Sequence, residues 1–559
     1  MMATLKKVFI FFTFSSLCFS AMLSQQVTYD WKHVIPGNTY TALCCMATDS
    51  SGNMYVGGRL DSTIVFLDTT VTNTYNTGFL AKLNPDGDLV WFKQFRHSET
   101  VYSMCFDSEN MLYISGSYLG KVQIDDTLLY TWDADTTYFG MFLAKFNTDG
   151  NRIWAKTTAG SFYYESGYGK LKQMTIDKDD NIVVISYAIN EIEYFDTTVT
   201  YTKTLDSLWV TTPFPHWEYF YDQTNVLVKF NKHGQKLWIK DLGMHQQHYL
   251  AIATDYSNNI LLTGYFWDDY PFVIDSVTLT STSSESIFVI KYNPLGHLIW
   301  AQKAGGGSNG NKAYDIISDE NDNVFVTGII SGGNVEFGGN VVHPGLTNQL
   351  FLTKYSPSGV VEWFRHIGTE GNSSNYDRGL GLFIFNNEIL LCGFFFDSLN
   401  LGFTILNTYI YPWRTAGIFL KFDLNGNLIG AVMDHDYAHF LPIYISTNNL
   451  ADIYISGNMS INSSQDIVMG KFSGWFLTEN KEEPTLISDF FIMPNPCNNY
   501  FYIAHNETDG SCIELYDISG KPVLSQKVNG SLCTVDASWL SKGIYIVKIN
   551  NKVSKLIKN

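Results

Sequence analysis

Two stretches of the chain bring aromatic rings and carboxylates close together. In the first, residues 205–221, Trp209, Trp217, Tyr219 and Tyr221 accompany Phe214, His216, Phe220 and Glu218. The second reads Tyr265-Phe266-Trp267-Asp268-Asp269-Tyr270. Exposed rings stack on sugar faces or anchor protein partners. Trp209, Trp217, Tyr219, Tyr221, Trp267, Asp268, Asp269 and Tyr270 are therefore the candidate ligand-binding residues. For 205–221 the competing interpretation is a loop that folds its rings onto its own sheet. Asp268 and Asp269 also form a carboxylate pair of the kind glycoside hydrolysis requires. Adjacent acids on a loop are common, however, and no nucleophile elbow is present. Binding is thus the first expectation, and hydrolase or lyase chemistry by acids at a channel mouth is the alternative.

The remaining patterns point to structure. Asp177-x-Asp179-x-Asn181 and Asp319-x-Asn321-x-Asn323 open like a calcium loop but lack its sixth-position glycine and distal glutamate. Asx turns explain them better, so no cofactor is expected and calcium is the minor alternative. Gly305-x-Gly307-x-x-Gly310 has the letters of a dinucleotide fingerprint without a βαβ context. His245/His248 and His435/His439 have ligand-like spacing, but no helix is expected to align them. No residue is assigned to a metal or to catalysis.

What positions these residues is a repeat. Lys145-Phe-Asn-Thr-Asp-Gly150-Asn-Arg-Ile-Trp154 has counterparts at Lys82…Gly87…Trp91, Lys229…Gly234…Trp238, Lys291…Gly296…Trp300 and Lys354…Gly359…Trp363. A sixth copy, Lys421…Gly426, carries Gly430 where Trp is expected. Upstream of each phrase lie an apolar strand ending in Asp (Asp49, Asp107, Asp177, Asp255, Asp319), a polar turn and a strand ending near Gly. Four strands per unit at this period predict an all-β fold, a seven-bladed β-propeller. The seventh unit lacks its Trp strand, and Val27–Val34, which contains Trp31, supplies a match. The N-terminal strand is expected to close the ring and remove its open edges. The turns within blades are uniform, whereas the opposite connections differ, among them 96–100, 161–169, 245–248, 305–311, 369–377 and 434–440. Loops on a rigid scaffold carry function, so the ligand is expected on that variable face.

The expected domains are a signal peptide at 1–24, the propeller at 25–476, a polar linker at 477–486 and a small β-sandwich at 487–559. Lys6 and Lys7 precede an apolar run from Val8 to Phe19 and then small residues, the pattern of an export signal. No later stretch is long and apolar enough to span a bilayer. The chain has 559 residues and a net charge of −18. Lys and Arg rarely cluster, which argues against nucleic acid. Eight cysteines are too sparse for a disulfide scaffold, though Cys497, Cys512 and Cys533 allow one pair.

The units resemble the bacterial SBBP-type propeller repeat, most closely at Asp49-Ser-Ser-Gly-Asn53-Met-Tyr55-Val-Gly57-Gly58. This resemblance implies a fold and a surface location. The tail resembles the type A C-terminal sorting domain of the Bacteroidetes type IX secretion system. The matching residues are Pro494-Asn495-Pro496, Leu515-Tyr-Asp-Ile-Ser-Gly520-Lys521, Leu540-Ser-Lys-Gly543-Ile-Tyr545 and the basic end at Lys552, Lys555 and Lys558. This second resemblance implies the secretion machinery as partner and a secreted or outer-membrane-surface location. Asp-(Ser/Thr) triplets such as Asp68-Thr-Thr70 and Asp126-Thr-Leu128 resemble Bacteroidetes O-glycosylation sites and also make good turns. Together these readings describe a non-catalytic secreted binding protein for a glycan or a protein. The alternatives are the glycan-active enzyme or a purely structural surface protein.

Overall fold

In a computed structural model, the chain divides into two compact units, Met1–Phe476 and Leu477–Asn559. Residues 25–472 and 490–558 are described, apart from 38–39, 62, 73–76, 131–138, 162–173, 195–196, 201–205, 211–215, 221–222, 245–246, 268–270, 282–283, 307–309, 345–347, 369–376, 397, 402–404, 408–414, 435–439, 449–451, 462–463, 494–499, 506–511, 519, 528–531 and 550–551. The expected signal peptide lies outside the described residues.

Unit one is all-β and propeller-like, with no helix among the described residues. Its motif is a four-stranded antiparallel meander, well shown by Lys312–Ser318, Val324–Ile330, Gln349–Tyr355 and Val361–Ile367. Every residue of Val324–Ile330 is buried, whereas the fourth strand is half exposed. Unbroken apolar runs in the second and third strands follow from having neighbours on both faces. Seven such meanders can be traced among the described residues, with first strands beginning near Ala42, Val101, Met174, Gln247, Lys312, Arg378 and Phe440.

Six of these first strands share an irregularity near their starts. The register shifts across Leu43/Cys45, Val101/Ser103, Tyr249/Ala251, Ala313/Asp315, Gly379/Gly381 and Pro442/Tyr444. Such a bulge adds one unpaired residue and bends the strand. It re-aims side chains at the end of the unit opposite the Asp turns.

The N-terminal segment is divided between two sheets, which corrects the single strand expected over Val27–Val34. Gln25–Gln26 runs parallel to Leu428–Asp434 as a fifth strand of the sixth sheet. Trp31–Ile35 then pairs antiparallel with Ser464–Phe472 and completes the seventh. The Leu43 amide donates to Asn458 Oδ1 at 2.8 Å, which ties the first sheet to the seventh. A second correction concerns 96–100, which is no loop. Leu89–Phe106 is one strand that serves the first sheet and then the second. It changes sheets through register shifts at Arg96/Ser98 and Ser98/Thr100, beside His97 with φ 63°.

Unit two is a small sandwich. One sheet holds Phe490–Met493, Tyr500–His505 and Leu532–Asp536, and the other Pro522–Lys527, Cys512–Asp517, Gly543–Ile549 and Lys552–Lys558. Phe501, Ile503 and Val535 from one sheet pack with Ile513, Leu515 and Val547 from the other. Cys512 is a free thiol, so it takes no part in the disulfide that the sequence allows.

Candidate functional site

The repeated phrase is consumed by the scaffold. Asp255 Oδ1 accepts the Ser257 and Asn259 amides at 3.0 and 2.8 Å, which closes an Asx turn. Its other oxygen lies 2.7 Å from Lys291 Nζ, with both side chains almost fully buried. Lys145–Asp107 and Lys229–Asp177 repeat this pair at 2.9 and 2.7 Å; in the seventh unit Asn448 heads the turn, and Lys471 pairs at 3.0 Å with Asp452 at its close. Lys354 and Lys421 depart from the pattern and pair with Glu362 and Glu388. Asp177, the head of the calcium-like motif, gives its oxygens to the Asp179 and Asn181 amides, Asn181 Nδ2 and Lys229. Protein donors therefore occupy the oxygens a cation would need. Burial, reinforced by Asp49 and Asp107, pushes the phenols of Tyr55 and Tyr113 well up, so both stay protonated donors to those carboxylates.

The Trp ring docks on the next unit. Trp31, Trp91, Trp238, Trp300 and Trp363 donate to the carbonyls of Pro85, Thr148, Pro294, Pro357 and Leu424 at 3.0–3.2 Å. In each case the phrase glycine of that next unit lies beneath the ring. A Cβ on Gly359 would come within 2.8 Å of the Trp300 ring, and Gly359 also has φ +85°. Trp154 lies over Gly234 with its indole N–H unbonded.

At the other end of the sheets, side chains from three consecutive units form an arc. Tyr265 and Trp267 close the second strand Ile260–Trp267 of the fourth sheet. His248 stacks on Tyr265 at 4.6 Å and meets Trp267 edge-on at 4.8 Å. Lys312, the first residue of the fifth sheet, sits 4.3 Å from the Tyr265 ring centre and 2.8 Å from Glu285. The Trp267 indole donates to that same Glu285 oxygen at 3.3 Å. Arg378, the first residue of the sixth sheet, lies 5.8 Å from the Tyr314 ring and 5.7 Å from that of Phe394. Tyr265 packs against the cluster that holds Tyr314, Leu380 and Phe394, which makes the arc continuous. Trp267, Lys312 and Arg378 keep part of their surface in water.

Among the described residues, Glu285, Asp315 and Asp377 of the arc each accept protein donors. Glu285 holds Lys312 and Trp267, Asp315 accepts the Ile316 and Leu382 amides, and Asp377 accepts that of Phe396. Burial pushes the Tyr314 phenol up, with Arg378 opposing it, so Tyr314 is a donor rather than a base at neutral pH. Fixed rings beside cationic groups suit recognition better than proton transfer.

Of the residues singled out from sequence, Trp267 belongs to this arc. Asp268, Asp269 and Tyr270 lie outside the described residues, as does Tyr221. Trp209, Trp217 and Tyr219 fall on a separate hairpin, Asp206–Val210 with His216–Phe220, in which Trp209 pairs with Trp217. In the tail, Pro494, Asn495 and Pro496 lie outside the described residues. Gly520 (φ +83°) donates its amide to Asp517 O, and Lys521 donates to Asp517 Oδ1. Gly543 opens the strand Gly543–Ile549, where Tyr545 is buried and donates to Ser541 O at 2.9 Å. Sequence reading missed Lys312, Tyr314, Arg378 and Phe394; Tyr265 stood in the aromatic stretch without being chosen as a candidate, and His248 was weighed only for metal-like spacing. The available signal was their position at strand ends beside the variable connections.

Comparison with known proteins identifies the tail. Residues 491–559 match the secretion system C-terminal sorting domain. That makes the chain a secreted or cell-surface-attached protein whose tail engages the type IX export machinery. The rest is less closely placed. An uncharacterised WD repeat-containing protein of Acanthamoeba polyphaga mimivirus is 23% identical over 368 residues, 55% of this chain. The match spans only 25% of that relative. Among solved structures, a polysaccharide lyase is similar at 8% identity and TM-score 0.39, covering 77% of this chain and 89% of its own. The WD40 domain of Toxoplasma gondii coronin has TM-score 0.35 at 8% identity, over 82% and 91%. A surface component of the type IX secretion system of Porphyromonas gingivalis has TM-score 0.24 at 8% identity, over 96% and 93%. These likenesses are loose, and each activity belongs to its own protein.

Proposed function

We propose that this is a non-catalytic carbohydrate-binding protein, displayed on the outer-membrane surface or released from it. In this reading residues 1–24 are its export signal, and 25–476 form a closed seven-bladed propeller of SBBP-type repeats. The pairing of Trp31–Ile35 with Ser464–Phe472 supports closure. The observation that carries the binding role is the difference between the two ends of the sheets. At one end the repeated Asp, Lys, Gly and Trp residues are spent on each other. At the other, Trp267 is held by Glu285 and His248 and is only partly buried. A fixed, partly buried indole is a stacking surface for a sugar. The aromatic residues Trp209, Trp217, Tyr219 and Tyr221, close together in sequence, are a second candidate group. A glycan array probed with the mature chain is expected to retain a defined set of saccharides. Trp267→Ala is expected to weaken them at least tenfold while thermal unfolding stays unchanged. Retention unaffected by that change would remove the site.

A further inference from the structure

We infer that the bound saccharide is anionic, and that Arg378 receives its carboxylate or sulfate group. This rests on the carbohydrate-binding reading above and specifies its ligand. The observation is an arginine without a counter-ion. Among the described residues Arg378 makes no ion pair, and its Nε is buried without a hydrogen bond. Several other cations of unit one have polar partners: Lys312 has Glu285, Lys32 has Asp434, and Arg365 has the carbonyls of Gly426, Asn425 and Phe364. Arg378 is instead flanked by the rings of Tyr314 and Phe394.

A guanidinium stays charged at any working pH. Ring faces compensate that charge only in part. The rings also restrict the side chain, so little freedom is lost when a ligand arrives. The planar fork of arginine matches carboxylate and sulfate oxygens two at a time, a geometry lysine lacks. Arg378 begins the innermost strand of the sixth sheet, as Lys312 begins that of the fifth. Tyr265 links both to Trp267 through the cluster containing Tyr314 and Phe394. An oligosaccharide lying along this arc would place one sugar face on Trp267 and the acid group of another residue at Arg378. The chain is acidic, at −18, so long polyanions are not drawn to it indiscriminately. Anion recognition must come from this local geometry.

The test uses the mature full chain and a panel of uronate-bearing and sulfated oligosaccharides. Each is titrated beside its own carboxyl-reduced or desulfated form. At least one acidic member should bind tenfold or more tightly than its neutral counterpart. Which series shows the gap identifies carboxylate or sulfate as the group. Arg378→Gln should close the gap without weakening the neutral form, while Trp267→Ala should weaken both. Equal binding of acidic and neutral forms overturns the inference but leaves carbohydrate binding intact. Failure of the whole panel, with an acidic peptide binding instead, overturns both. Should Arg378→Gln fail to fold, the comparison of acidic and neutral forms on the unmodified chain still decides.

Discussion

At the residue scale, the most informative contact is an indole on a glycine of the next unit. Trp300 is 8% exposed, lies over Gly359 and donates to Pro357. Truncating a buried Trp removes transfer energy and leaves a cavity, about 3–5 kcal/mol together. Trp300→Ala should therefore cost that much in a denaturant titration, and a loss under 1 kcal/mol would mean that the docking is dispensable. This contact also accounts for Gly430. A Trp there would need a phrase turn in the following unit, but the seventh sheet takes its fourth strand from the N-terminus and has no such turn. Tyr29 and Lys32 bond Asp434 instead, at 2.7 and 2.5 Å, and Tyr29 packs edge-on against Phe472. The repeat and its lapse were legible because Gly and Trp keep a fixed spacing within one hairpin. Of the arc only Trp267 was legible as a candidate, because His248, Lys312 and Arg378 share no motif with it and meet it only through the packing of separate sheets.

At the element scale, the strand from Trp31 to Ile35 does more than extend a sheet. It pairs with Ser464–Phe472, and Trp31 and His33 reach Pro85 O and Gly87 O in the first unit. Removing residues 25–35 would expose the edge of Ser464–Phe472 and leave that turn without its indole. Exposed edges template association. The truncated chain should unfold at lower temperature and form higher oligomers on gel filtration. A monomer of unchanged stability would contradict this role. The need for an outside strand was legible in the missing Trp of the seventh unit. The division of the N-terminal segment was not, because Gln25–Gln26 carries no apolar alternation and is placed by its parallel pairing with Val432 and Met433. Similarly, 96–100 reads as a polar loop, yet its backbone pairs with Tyr118 and Gln123 because Leu89–Phe106 runs on from one sheet to the next.

At the scale of the whole molecule, the two units carry different chemistry. Residues 487–559 carry seven lysines against six acids, so the net negative charge resides in the rest of the chain. The tail provides export, and the propeller-like unit provides a rigid support with one end given over to its own stability. The proposed ligand meets the other end. Hydrogen–deuterium exchange of the mature chain, with and without a saccharide retained on the array, tests this most directly. The account predicts slower exchange at strand ends around 248, 265–267, 312 and 378, with the Asx turns at 49–53, 107–111 and 255–259 unchanged. Protection confined to those turns, with the arc unaffected, would contradict it.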